Sequence, residues 1–156
     1  MLFLLVVSCK KEKDTENVEV AAETFFSVDS LPKPISINDN ALEILKDWQE
    51  FENLETTFES LYKVDNREDL TLVIEDLIEK QKMLEASSYP LTFNRPQIKS
   101  RQKVFKTYIL KTKGNLGYRV GIRESTLEMV TAYNAFRNQF SVLVNSVLDT
   151  SLILNE

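Results

Sequence analysis

Between Ser125 and Leu154 the chain carries an apolar stripe that a long helix gathers on one face. Met129, Tyr133, Phe136, Phe140, Leu143 and Val147 recur at alternating steps of four and three, so they stack along a single side. Val130, Val144 and Leu148 widen the stripe, and the only residues in the stretch charged at neutral pH are Glu128, Arg137 and Asp149. The other side carries Thr131, Asn134, Asn138, Ser141 and Asn145, polar but neutral. A helix with water on one side ordinarily shows charges there. This pattern calls for neighbours on several sides, or for a second copy of the chain. Asn134, Asn138, Ser141 and Asn145 therefore form a candidate helix-docking face, for a protein partner or in a homodimer. If they are buried instead, each amide needs a partner, because an unsatisfied one costs about 1–3 kcal/mol.

The rest of the chain supplies that helix with companions. Only three glycines and four prolines punctuate 156 residues, far fewer than a many-stranded β fold needs. Asn38-Asp39-Asn40 offers N-caps for a first helix, in which Ala41, Ile44, Trp48, Phe51, Leu54, Phe58 and Leu61 keep helical spacing. Asp65 with Glu68 reads as the capping box of a second, whose stripe is Leu70, Val73/Ile74, Leu77/Ile78 and Leu84. Ser87–Asn94 is a loop, and Pro96 opens a third helix carrying Ile98, Phe105, Tyr108/Ile109 and Thr112. That helix is expected to end within Gly114–Gly121, where the three glycines cluster. The expected fold is all-α: an up-down-up-down antiparallel four-helix bundle over residues 38–156, with a long C-terminal helix. Lys10–Ile37 shows no sustained period and reads as a tether, although Val18–Phe26 is apolar enough to touch the bundle.

Several chemistries lose their materials at once. The chain has no histidine and one cysteine, so Cys/His zinc sites, Ser-His-Asp triads and Cys-His dyads cannot be assembled. A net charge of −5 argues against nucleic acid as a partner. Glu50, Glu52, Glu55, Glu75, Asp76 and Glu79 put carboxylates at helical spacing, but di-metal bundles pair theirs with inward Glu-x-x-His motifs. A solvated acidic face is the reading here, with no metal or cofactor expected. Trp48 and Phe51, on the first apolar stripe, are expected in the core.

The first nine residues point elsewhere. Leu2–Val7 is an apolar run too short to span a bilayer, and Ser8-Cys9-Lys10-Lys11-Glu12 follows. Val6-Val7-Ser8-Cys9 resembles the lipobox of bacterial lipoproteins, and the run into Ser-Cys-Lys-Lys-Glu is similar to lipoproteins of the Bacteroidota. The resemblance implies a signal peptide over residues 1–8, cleavage before Cys9, and acylation of the Cys9 thiol and amino group. Two or three acyl chains on one residue hold far more firmly than one. By the same analogy, Lys10 after the cysteine implies delivery to the outer membrane. The other reading of Cys9 is an unmodified cysteine in an apolar N-terminus.

Charge is divided along the chain. Asp39–Glu85 holds fourteen acids and five bases, whereas Arg95–Arg123 holds nine bases and no acid. Opposite fields of this kind help select which helices lie side by side. Lys99, Arg101, Lys103 and Lys106 are also a candidate patch for an anionic lipid headgroup or glycan. Together these features favour a cell-envelope lipoprotein with a non-catalytic interaction or structural role.

Overall fold

The computed structural model describes residues 25–153, with side chains through residue 146. Regular structure in this span is helical throughout: α1 (Asp39–Leu45), α2 (Gln49–Ser60), α3 (Arg67–Ala86), α4 (Pro96–Tyr118) and α5 (Ile122–Ile153). Single 3-10 turns lie at Val28–Ser30 and Leu61–Lys63. The all-α expectation holds, with five helices where four stripes were read.

The additional helix comes from a break in the first stripe. Trp48 has φ −102° and ψ 86°, outside the helical region, and separates α1 from α2. The kink turns its indole into the core against Phe51, Tyr89 and Phe140, leaving it 2% exposed. Apolar spacing runs unbroken through this point, so periodicity alone hides the bend.

Caps define the other boundaries. Asn38 Oδ1 accepts the Ala41 N–H at 2.8 Å and starts α1. The cap of α3 lies one residue beyond the expected Asp65/Glu68 pair. Asn66 Oδ1 accepts the Asp69 N–H at 2.8 Å, while its amide donates to Asp69 Oδ2 at 2.7 Å. An amide can do both, whereas the carboxylate of Asp65 could only accept. α4 opens on Pro96 after an extended Arg95 and runs through Gly114 and Gly117 to Tyr118. The chain then reverses at Arg119 (φ 59°) and Gly121 (φ 54°). Backbone N–H groups of Arg119 and Val120 return to the carbonyls of Leu116 and Asn115, closing the helix end. α5 starts three residues before the expected Ser125, and its last turns beyond residue 146 lie outside the described side chains.

One continuous core joins the helices. Leu54 and Phe58 of α2, Ile74 and Leu77 of α3, Phe105 and Ile109 of α4, and Met129, Phe136 and Phe140 of α5 are all fully buried. Each such side chain contributes about 1.5–3 kcal/mol through burial. The rings of Phe58 and Tyr133 stack at 3.6 Å, with Phe105 5.1 Å from Tyr133.

Residues 25–37, read from sequence as part of the tether, belong to this core. Val28, Leu31 and Ile37 are buried, and Phe25 and Phe26 pack against the same cluster. The Tyr62 hydroxyl donates to the Pro32 carbonyl, and the Lys33 ammonium lies 4.2 Å from the centre of the Tyr62 ring. Irregular spacing concealed this because an extended segment buries isolated residues rather than a periodic stripe. Cys9, the expected signal peptide and the rest of the expected tether lie outside the described residues.

Candidate functional site

The neutral face of α5 holds another part of the same chain. Asn134 accepts the Ile35 N–H at 3.0 Å and donates to the Lys33 carbonyl at 3.2 Å. Ser141 Oγ accepts the Asn38 N–H at 3.1 Å, and Asn145 Oδ1 accepts the Asn38 side-chain amide at 2.9 Å. Asn138, between them, is exposed. Three of the four docking-face residues thus hold the chain's own segment 33–38, which forms a strap along α5. Asn134 and Ser141 supply backbone partners that an extended segment lacks, and Asn145 holds the Asn38 side chain.

Beneath the strap sits a charged group that the sequence reading placed on a solvated face. Glu55 of α2 accepts from both the Tyr133 hydroxyl and the Arg137 guanidinium, and Arg137 Nε also donates to the Ile35 carbonyl at 2.8 Å. Burial, reinforced by the Glu55 charge, holds the Tyr133 phenol well above its ordinary pKa of 10. The network joins α2, α5 and the strap. Every group in it is satisfied, so its role is to fix the fold.

The basic stretch on α4 divides among neighbours. Lys106 pairs with Glu85 and Lys113 with Glu75 on α3, while Lys111 pairs with Glu128 on α5. The basic helix, expected beside both acidic helices, thus lies beside acidic α3 and takes α5 rather than α2 as its other main neighbour. Of the four candidate patch residues, Lys106 is neutralised by Glu85 and Lys99 sits 5.1 Å from the centre of the Tyr89 ring. Arg101 and Lys103 are exposed. The acids follow the solvated reading elsewhere: Glu75 and Glu79 are exposed, and Asp76 pairs with Lys80 and accepts from Thr57.

Beside this stretch a cleft of about 400 Å³ opens between the end of α3, the 87–94 loop and the first half of α4. Two glutamines reach it from within the helices, Gln81 at 1% and Gln102 at 2% exposure. Gln102 Oε1 accepts the Tyr89 hydroxyl. Gln102 Nε2 and Gln81 Oε1 are buried without a hydrogen-bond partner. Tyr89 stands 4.8 Å from Trp48 ring to ring, and the Trp48 N–H donates to Ser87 Oγ at 2.8 Å. Lys99 and Lys103 line the same opening one helical turn apart.

Neither glutamine was singled out from the sequence, yet both leave a trace there. Gln81 falls between Leu77 and Leu84, and Gln102 between Ile98 and Phe105, each at the spacing where the stripe calls for an apolar residue.

Among the described residues no group of acidic or sulfur ligands is placed to hold a metal ion, and no helix is long and apolar enough to cross a membrane. Comparison with known proteins finds no matching family model, curated protein or solved structure.

Proposed function

We propose that the chain is a lipid-anchored protein of the bacterial cell envelope, held at the outer membrane through Cys9, whose helical part binds rather than catalyses. The observation that carries this reading is Val6-Val7-Ser8-Cys9, with an apolar run before it and charged residues directly behind. Fractionation of host membranes, with mass analysis of the N-terminus, tests it. The wild type is expected in the membrane with acyl mass on Cys9, and the Cys9→Ser variant in the soluble fraction. Identical behaviour of the two, with an unmodified N-terminus, overturns the anchor.

The helical part fits an up-down-up-down ring of α2, α3, α4 and α5. What supports this is the sense of the contacts between neighbours. Glu75 and Glu85 of α3 meet Lys113 and Lys106 of α4. Phe105 and Thr112 of α4 meet Tyr133 and Ser125 of α5. Phe51 and Phe58 of α2 meet Phe140 and Tyr133 of α5. In each pair of helices one residue number rises as the other falls, which is the mark of antiparallel packing. α1 and the strap lie along α5.

A second reading rests on a separate observation. Lys99 and Lys103 flank a cleft lined by two glutamines, each with one buried amide atom without a partner, so α4 offers a place for an anionic envelope component. Because segment 33–38 covers much of the α5 face, this cleft is the better-supported binding surface.

A further inference from the structure

We infer that the cleft between α3 and α4 binds a small hydroxylated phosphate of monosaccharide size or below, such as a sugar phosphate or a glycerophosphate headgroup. The inference rests on the second reading above and is independent of the anchor at Cys9.

Its foundation is the pair of buried amides. A polar atom shut away without a partner costs about 1–3 kcal/mol, and natural folds keep few of them. Here two occur on facing helices and line one opening, and they are complementary: Gln81 presents an acceptor and Gln102 a donor. In the structure the Tyr89 hydroxyl donates to Gln102 Oε1, so Nε2 is the end of that amide without a partner. A hydroxyl group donates and accepts at once, so a ligand carrying two or more of them satisfies both amides.

Charge selects the rest of the ligand. Glu85 also lines the cleft, but its charge is met by Lys106 from outside the lining, and Lys99 and Lys103 bring two positive charges to the rim. Lys99 lies in the first turn of α4, where the helix dipole adds to the positive field. Four hydrogen-bonding groups of the 87–94 loop surround the opening, including Ser88 and Asn94, and the lining is too polar for an apolar guest. A volume of about 400 Å³ lies within the usual span of small-molecule sites, roughly 300–1,000 Å³, and at its smaller end. A phosphate against the lysines, with hydroxyls against the glutamines, meets each of these demands.

The chain carries its own reporter. Trp48 is the only tryptophan, and it touches two residues of the cleft, Ser87 and Tyr89. The test is titration of the full chain, followed by Trp48 emission, with glucose 6-phosphate, glycerol 3-phosphate, glucose and inorganic phosphate. Vesicles of phosphatidylglycerol or of phosphatidylcholine complete the series. A saturable response is expected to at least one hydroxylated phosphate, with glucose and inorganic phosphate at least about tenfold weaker. Response to the soluble esters identifies a free metabolite as the source, and response to phosphatidylglycerol vesicles alone identifies a lipid headgroup. In either case Gln102→Leu, and separately Lys99→Ala with Lys103→Ala, weakens binding about tenfold while the melting midpoint is retained. Gln81→Met serves the same purpose should Gln102→Leu fail to fold. The inference is overturned by silence toward every probe, by inorganic phosphate binding as well as its esters, or by folded glutamine variants that bind like the wild type. None of these outcomes bears on membrane attachment, which the Cys9→Ser fractionation decides alone.

Discussion

The indole N–H of Trp48 donates to Ser87 Oγ at 2.8 Å, tying the kink between α1 and α2 to the loop that follows α3. Ser87 passes the connection on by donating to the Leu84 carbonyl at 2.8 Å. Removing the hydroxyl strands a buried donor, so Ser87→Ala is expected to lower stability by about 1–3 kcal/mol. Trp48→Ala opens a large cavity as well and should cost roughly 3–5 kcal/mol. Urea denaturation followed by far-UV circular dichroism reads both values. A Ser87→Ala variant as stable as the wild type would show that the bond contributes nothing.

Tyr133 makes the fold sensitive to alkali. Its phenol is held well above 10 in the folded state by burial, then by the adjacent Glu55 carboxylate. Above pH 10 the unfolded chain therefore loses a proton that the folded chain keeps. Stability from this group is full below pH 10 and falls by about 1.4 kcal/mol for each further pH unit until the folded-state pKa is reached. The Tyr62 phenol, pushed up to about 12 by burial, acts in the same direction. Denaturation midpoints measured from pH 9 to 12 should hold to about pH 10 and decline above it, and Tyr133→Phe should make the decline shallower. Equal slopes in the two proteins would place the alkaline sensitivity elsewhere.

Arg137 and Glu55 form an ion pair that is largely buried, with side-chain exposures of 12% and 24%. Arg137→Ala leaves the carboxylate in a poor solvent and also frees the Ile35 carbonyl. A loss of roughly 3–5 kcal/mol is expected at neutral pH, because removing one partner of such a pair strands the other charge. Replacing both residues with methionine should recover much of it. A double variant as damaged as Arg137→Ala alone would contradict this account.

Gly114 and Gly117 lie inside α4, and an added Cβ at either would meet no atom within 4 Å. Alanine at each is expected to raise stability by about 0.5–1 kcal/mol, since glycine has more freedom to lose on folding. Arg119 has the opposite mismatch, a side chain at φ 59° where glycine is at ease. Arg119→Gly should gain a similar amount. Thermal melts of the three single variants test these signs together. Gly121, at φ 54° with Asn115 Nδ2 3.4 Å from where a methyl group would stand, should tolerate alanine poorly.

How much of this could be read from residues alone varies with the kind of order involved. Repeating stripes gave the all-α class and the core positions of Trp48 and Phe51, and residue types marked the cap at Asn38, the helix start at Pro96 and the 87–94 loop. Charge division anticipated that basic α4 lies against acidic α3. What stayed hidden has no period. The bend at Trp48 preserves helical spacing, the strap buries Val28, Leu31 and Ile37 at irregular intervals, and Glu55 finds its partners 78 and 82 positions away. Gln81 and Gln102 were visible only as gaps in stripes, and what those gaps meant required seeing both on one cleft.

The strap also sets an order of events for the newborn chain. Its bonds to α5 link residues 99, 103 and 107 positions apart. Contacts of such long range form late, because closing a large loop costs entropy before any bond repays it. The α2–α3 hairpin has its cap and its local pairs early, but Ile35 and Asn38 must wait for Asn134, Ser141 and Asn145 to be made. A ribosome that has released the first hundred residues has produced a chain in which Pro32 and Lys33 can already meet Tyr62, while Ile35 and Asn38 find their anchors only when the last helix emerges.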